Sequence, residues 1–174
     1  IIIVSSIFWL IKNILINSNK FFFKLTINNL PFQIFILLIF IQIIMGALVS
    51  GLDAGKIYQT WPMMGSNYLP NDFNFKDLSS TLEFDNHSLV QFYHRNLAYL
   101  IILYAIFLSI FIYKKKLFNL YLSLKILLFI LLLQIVLGIF TLVTGLNIYL
   151  ASVHQITSVL LVLSALNLYY CRTK

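Results

Sequence analysis

The sequence predicts an all-α integral membrane protein in which four transmembrane helices form a bundle of two repeated helical hairpins. Of the 174 residues, 61% are hydrophobic and only 10% are charged, and the mean hydropathy is +0.95. A soluble domain of this length has too little interior to hide so much apolar surface. A transmembrane helix takes roughly 20 apolar residues, and the four runs of that length are Pro31–Ser50, Leu89–Tyr113, Ser123–Thr144 and Ile148–Tyr170.

Residues 1–30 are expected to precede this bundle as a separate segment. The apolar run Ile1–Ile11 is too short to span a bilayer, and it does not begin with Met. A signal peptide would need a basic start and a small-residue cleavage site. We therefore expect the run to be the end of a transmembrane helix truncated upstream, followed by an inner basic linker. Residues 31–174 then form the four-helix domain.

Charged residues follow a topological pattern, which argues against nucleic-acid binding despite the net charge of +7. The linkers and the C-terminus are basic, with Lys12, Lys20, Lys24, Lys114, Lys115, Lys116, Lys125, Arg172 and Lys174. All five acidic residues fall in the long loop 52–88, namely Asp53, Asp72, Asp77, Glu83 and Asp85. Because Lys and Arg are retained on the inner side of a membrane, the linkers are expected in the cytoplasm or matrix. The loop 52–88 is expected in the periplasm or intermembrane space.

An internal repeat relates the first and third spans. Gln42 aligns with Gln134, Gly46 with Gly138, and Gly51 with Gly145. We expect the two glutamines to hydrogen-bond across helices, because an unpaired amide in hydrocarbon is costly. The glycines at 46 and 138 allow close approach either of a neighbouring helix or of a flat macrocycle, and the sequence leaves both open.

The long outer loop contains three aromatic residues, Tyr58, Trp61 and Tyr68, that suit the headgroup level of a membrane. Loops of this length are often functional, as lids or binding loops. The alternative is an interfacial cap with short helices.

Two histidines occupy matching positions in the second and fourth spans. At 1.5 Å rise per residue, His94 lies about 8 Å and His154 about 9 Å inside the outer face. The two helices are parallel and can stand diagonally across a small bundle, so both imidazoles could ligate one heme iron. Zinc and non-heme iron usually need three or four ligands, including carboxylates or thiolates, and none lies near the pair. His87 is expected to face water.

Several other polar residues have a functional and a structural interpretation. Arg95 could bind a heme propionate or an acidic loop residue such as Asp53. Cys171 has no disulfide partner and no heme-attachment motif, and we interpret it as a small interfacial residue. The hydroxyl residues of the spans are expected to serve in helix packing, and these are Thr141, Thr144, Thr157, Ser158 and Ser164.

Three motifs carry a family resemblance that covers essentially the whole chain. They are GALVSGLDAGKIYQTWPMM (Gly46–Met64), VQFYHRNLAYL (Val90–Leu100) and ASVHQ (Ala151–Gln155). In this order and at this spacing they resemble heme A synthase, in the C-terminal half of its proteobacterial and mitochondrial form. Lys56 replaces a usually more apolar residue and Trp61 a common Phe, and both departures are minor.

The resemblance implies one half of an eight-helix, pseudo-symmetric membrane oxidoreductase. This half would hold a resident heme b with His94 and His154 as axial ligands, for electron transfer. The other half would bind heme O, whose C8 methyl group is oxidised to the formyl group of heme A by successive hydroxylations. A catalytic acid, base or nucleophile is not expected in this chain.

The resemblance also implies partners and a location. Membrane lipid, the heme O substrate, heme O synthase and an electron donor are the expected partners, and the location is a bacterial inner membrane or the mitochondrial inner membrane. Two alternatives remain at this point. One is a b-type cytochrome that exchanges electrons with a quinone, and the other is a non-redox assembly protein in which the histidines only pack.

Overall fold

The computed structural model describes residues 1–22, 24–72 and 84–173, and these residues form five α-helices. Two short 3-10 turns, Ala54–Lys56 and Phe118–Leu120, lie in the connections. The described residues contain no β-strand, only an isolated bridge between Met64 and Asn67. The helices are α1 Ile2–Leu15, α2 Leu30–Gly51, α3 His87–Lys114, α4 Tyr121–Val143 and α5 Ile148–Arg172.

Helices α2 to α5 are each long and apolar enough to cross a membrane, which confirms the four expected spans. Their ends agree with the sequence-based bounds to within two residues. The helix α1 has 14 residues, too few to span a bilayer. The fold is therefore an all-helical membrane bundle.

Asparagine caps begin both histidine-bearing helices. The Asn86 side chain accepts a hydrogen bond from the backbone N–H of Leu89, and the Asn147 side chain accepts from those of Tyr149 and Leu150. Such caps satisfy N–H groups that have no partner within the helix. At 1.5 Å per residue, His94 lies about 12 Å and His154 about 10 Å beyond its cap. The two histidines therefore have nearly the same depth along their helices.

The four long helices are arranged so that α3 and α5 occupy opposite corners. Helix α2 packs against α3 and α5, and α4 packs against α5 and, more sparsely, α3. Among the described residues, α3 and α5 form no extensive interface of their own. The expected diagonal placement of the two histidine helices is confirmed.

The buried core of the bundle is concentrated toward its inner end. In α5, almost every residue from Leu161 to Tyr170 is buried or half-buried, whereas no residue from Ile148 to Ile156 is buried. In α4, Thr141 is the single buried residue after Leu131. The outer parts of α4 and α5 are thus less buried than their inner parts, and His154 lies in this outer part, whereas the outer end of α3 is buried from Ser88 to Gln91.

The described part of the outer loop contains one short 3-10 turn and packs partly onto the bundle. Ala54 and Met64 are fully buried there, whereas Trp61 and Tyr68 are about half exposed, as suits a membrane interface. Two of the five acidic residues of the loop, Asp77 and Glu83, lie outside the described residues.

Helix α1 and the inner linker are fastened to the inner end of α5 through Trp9. The Trp9 indole Nε1 donates to the Lys20 carbonyl at 2.8 Å, and its ring packs edge-on against Phe22 and Tyr170. Lys20 Nζ in turn donates to the Tyr170 carbonyl at 3.1 Å. Trp9 therefore joins the N-terminal segment to the bundle.

We expect Trp9→Ala to detach the linker, because truncation of a buried Trp costs about 3–5 kcal/mol. The measurement is the rate of tryptic cleavage after Lys20 and Lys24, which should rise. Trp61→Ala is the matched control, because Trp61 is 46% exposed in the outer loop. Equal cleavage rates in the two variants would show that Trp9 does not hold the linker.

Candidate functional site

The first hairpin holds His94 against a glutamine of the preceding helix. Gln42 Nε2 donates to the His94 carbonyl at 3.1 Å and lies 3.4 Å from the His94 Nε2. The contact crosses from α2 to α3, as expected for an amide that has no water available in the membrane. One amide thus contacts both the backbone and the ring of the histidine.

The second hairpin repeats this arrangement. Gln134 Nε2 donates to the His154 carbonyl at 2.9 Å and lies 3.5 Å from the His154 Nε2. The internal repeat predicted from sequence is therefore present in the side-chain contacts as well as in the helix order. Both histidines are half-buried.

A glycine faces each imidazole one helical turn from the glutamine. A Cβ atom built on Gly46 would lie 3.1 Å from His94 Cε1, and one on Gly138 would lie 3.0 Å from His154 Cε1. The spacing of four residues places glutamine and glycine on the same helix face. The structure confirms that these glycines allow close approach of a neighbouring helix, at its histidine ring, and contact with a macrocycle stays a prediction.

The histidine rings retain one polar atom each that could serve a bound group. Nδ1 of His94 and Nδ1 of His154 are buried and have no hydrogen-bond partner among the described residues. Buried polar atoms in proteins are normally satisfied, so two unsatisfied imidazole nitrogens at equivalent positions are chemically significant. The donor set, two imidazoles on opposite helices, fits a heme iron with two axial ligands.

Other metal-binding arrangements find no support in the described part of the chain. It contains no group of three or more His, Cys, Asp or Glu residues placed to hold a metal ion. His87 is exposed at the first residue of α3, as expected for a residue that faces water. Cys171 is free and half-buried at the inner end of α5, far along the helix from His154.

Arg95 fastens the outer loop to α3. Its Nη1 donates to the carbonyls of Thr60 and Met63 at 2.9 and 3.2 Å, and its Nη2 donates to that of Tyr58 at 2.9 Å. The expected alternative of a pair with Asp53 is wrong, because Asp53 forms its ion pair with Lys56 at 2.8 Å. A contact to a propionate stays a prediction.

Two further residues of α3 hold the same loop and were missed by the sequence analysis. The buried Gln91 donates through Nε2 to the Tyr58 carbonyl at 2.8 Å, and Asn96 accepts a hydrogen bond from the Tyr68 hydroxyl. The sequence did contain a signal for these contacts, because each turn at the outer end of the otherwise apolar α3 has a polar residue. Those residues needed partners, and the loop supplies them.

The chain matches a family model described as cytochrome oxidase assembly protein over residues 1–166. It is 46% identical over 143 residues to a protein of Pelagibacter ubique named heme A synthase, covering 79% of this chain and 41% of the relative. The chain belongs to the heme A synthase family.

Other heme A synthases give similar matches. Identity is 40% over 148 residues to that of Ehrlichia canis, covering 84% of this chain and 40% of the relative. The identity to the heme A synthase of Rickettsia prowazekii is 37% over 131 residues, covering 72% of this chain and 37% of the relative. The chain thus spans about two fifths of the length of these heme A synthases. No solved structure matches the chain.

We expect Gly46→Ala and Gly138→Ala to destabilise this heme A synthase chain, because the added methyl group overlaps a histidine ring. Overpacking of this kind costs about 1–3 kcal/mol, more than the roughly 1 kcal/mol that Ala gains over Gly in a helix. The measurement is the thermal unfolding temperature in detergent. Gly51→Ala is the control, since nothing lies within 4 Å of its Cβ position. Destabilisation by all three substitutions alike would contradict the proposed ring contact.

We expect Arg95→Gln to release loop residues 57–64 from α3. Hydrogen bonds to a charged group contribute about 1.5–3 kcal/mol each, although partial exposure lowers the value here. A loss of about 1.4 kcal/mol of loop stability raises the fraction of open loop about tenfold. The measurement is amide hydrogen exchange of the loop, which should become faster by the same factor. Arg172→Gln, at the opposite end of the bundle, is the control. Unchanged exchange would mean that other contacts hold the loop.

Proposed function

We propose that this chain holds a heme b between His94 and His154 as part of a heme A synthase. The observation that carries the proposal is the repeated unit of histidine, glutamine and glycine on opposite corners of the bundle. Each histidine is held at one height by a glutamine amide, and its ring edge is accommodated by a glycine. Two nitrogen donors at equivalent depth are what axial ligation of one iron requires.

The residues around the histidines would bind and orient the group, and each has a separate role. Gln42 and Gln134 would contact the ligand residues from the preceding helix, as outer-shell partners do at metal sites. The N-terminal ends of α3 and α5 and the guanidinium of Arg95 would contribute positive potential at the outer end of the site. With both histidines as its ligands, the heme would have no free position for substrate and would supply electron transfer.

The reaction of the whole protein is part of the same proposal. Heme A synthase would oxidise the C8 methyl group of heme O to a formyl group through successive hydroxylations, which makes it an oxidoreductase. We assign this chain the transfer of electrons and assign no catalytic acid, base or nucleophile within it. The names of the relatives favour this reaction over electron exchange with a quinone by a simple b-type cytochrome.

The proposed partners and location follow from the same reaction and from the charge pattern. Heme O is the proposed substrate, heme O synthase its source, and a separate protein or quinol the electron donor. The basic linkers favour a cytoplasmic or matrix location for the inner ends of the helices. The loop 52–88 and the histidine site would then lie toward the periplasm or intermembrane space of an inner membrane.

The test is the reduced-minus-oxidised visible spectrum of the purified chain expressed with a supply of heme. We expect sharp low-spin b-type bands in the wild type and their loss or broadening in His94→Ala and in His154→Ala. His87→Ala is the matched control, because this histidine is exposed at the start of α3. Bands that survive both ligand substitutions, or a wild type without bands, would refute the proposed site.

A further inference from the structure

The two hairpins differ at one position beside the histidines. Three residues after His154 lies Thr157, and three residues after His94 lies Leu97. In an α-helix this spacing places the residue beside the histidine on the same face. Thr157 is buried, and Leu97 is a half-buried residue that packs against the apolar core.

Thr157 anchors the free end of the Gln134 amide. Its Oγ1 lies 2.5 Å from Gln134 Oε1, and an amide oxygen can only accept, so the hydroxyl donates its proton there. The same Oγ1 lies 2.9 Å from the Val153 carbonyl and 3.1 Å from that of His154, which are longer contacts. Gln134 is therefore bonded at both ends, to Thr157 through its oxygen and to His154 through its nitrogen.

Gln42 has no such anchor. Its Oε1 is buried and has no hydrogen-bond partner among the described residues, while its Nε2 donates to the His94 carbonyl. Leu97 occupies the position from which a hydroxyl would reach that oxygen. The amide beside His94 is thus fixed at one end only, and the two histidine sites are not equivalent.

We propose that Thr157 is a positioning residue that fixes the Gln134 amide and, through it, the orientation of the His154 imidazole. The His94 imidazole, beside an amide anchored at one end, keeps freedom to reorient. Hydrogen bonds around a metal ligand set its orientation and basicity. In the proposed heme site, which this step presupposes, His154 is the fixed ligand and His94 the adjustable one.

The first test does not depend on heme. The full chain is labelled with 15N-histidine, purified without added heme and studied in lipid bilayers by solid-state NMR, with each ring assigned by single histidine substitutions. We expect one set of imidazole signals for His154 and more than one for His94. Thr157→Val should add a second set for His154 alone, and Thr157→Ser, which keeps the hydroxyl, should not.

The matched gain-of-contact variant is Leu97→Thr, which supplies the absent hydroxyl to Gln42. We expect it to reduce the His94 signals to one set and to leave those of His154 unchanged. This variant also keeps the proposal falsifiable if Thr157→Val fails to fold. Unchanged His154 signals in Thr157→Val, or unchanged His94 signals in Leu97→Thr, would overturn the positioning role.

The second test uses the heme-loaded chain and its low-spin electron paramagnetic resonance signal. Thr157→Val should broaden this signal relative to the wild type, and Leu97→Thr should narrow it. If the heme-loaded variants give the same signal as the wild type, the proposed role of Thr157 is wrong and the proposed heme site is unaffected. A wild type that takes up no heme but gives the expected NMR changes contradicts the proposed function and leaves the role of Thr157 intact.

Discussion

The fold depends on one requirement, that a polar side chain within a membrane-spanning helix finds its hydrogen-bond partner inside the protein. Gln42 and Gln134 meet it by donating to the backbone carbonyls of His94 and His154. Because the acceptor is a backbone carbonyl, each bond fixes the position of one helix along the axis of its neighbour. It also places the glutamine amide beside the histidine ring. The two bonds fix the register of α2 against α3 and of α4 against α5 at the level of the histidines, where Gly46 and Gly138 approach the imidazole rings.

The repeat extends to the ends of α2 and α4, and the two hairpins differ only beyond them. The spacing of 92 residues between the two glutamines also relates Gly51 to Val143, and these are the last residues of the two helices. The same spacing relates Asp53 to Gly145, which both have a positive φ, of 53° and 72°. The predicted alignment of Gly51 with Gly145 is therefore wrong by two residues. After this shared turn the first hairpin continues into the long outer loop, whereas the second passes directly into α5.

The sequence predicted the helices and the cross-helix hydrogen bonds of the two glutamines, because both follow from strong and local constraints. Apolar length determines a span, and a lone amide such as Gln42 has few places to bond. The partner of Arg95 could not be predicted, since a guanidinium accepts carboxylate and carbonyl oxygens alike and only the loop conformation brings the Tyr58, Thr60 and Met63 carbonyls to it. Thr157 was interpreted as a packing hydroxyl for the same reason. Its short contact to Gln134 depends on the register between α4 and α5, which no pattern within one helix specifies.

The partners of Arg95 also determine the charge of the outer end of the site. Carbonyl oxygens satisfy the guanidinium N–H groups but do not neutralise the positive charge, as a carboxylate would. Within the described residues Arg95 forms no ion pair, and the ion pair of the loop is between Lys56 and Asp53. The N-terminal ends of α3 and α5 contribute further positive potential. Arg95 thus fastens the loop and adds a positive charge one residue from His94, and the propionates of the proposed heme would carry the opposite charge.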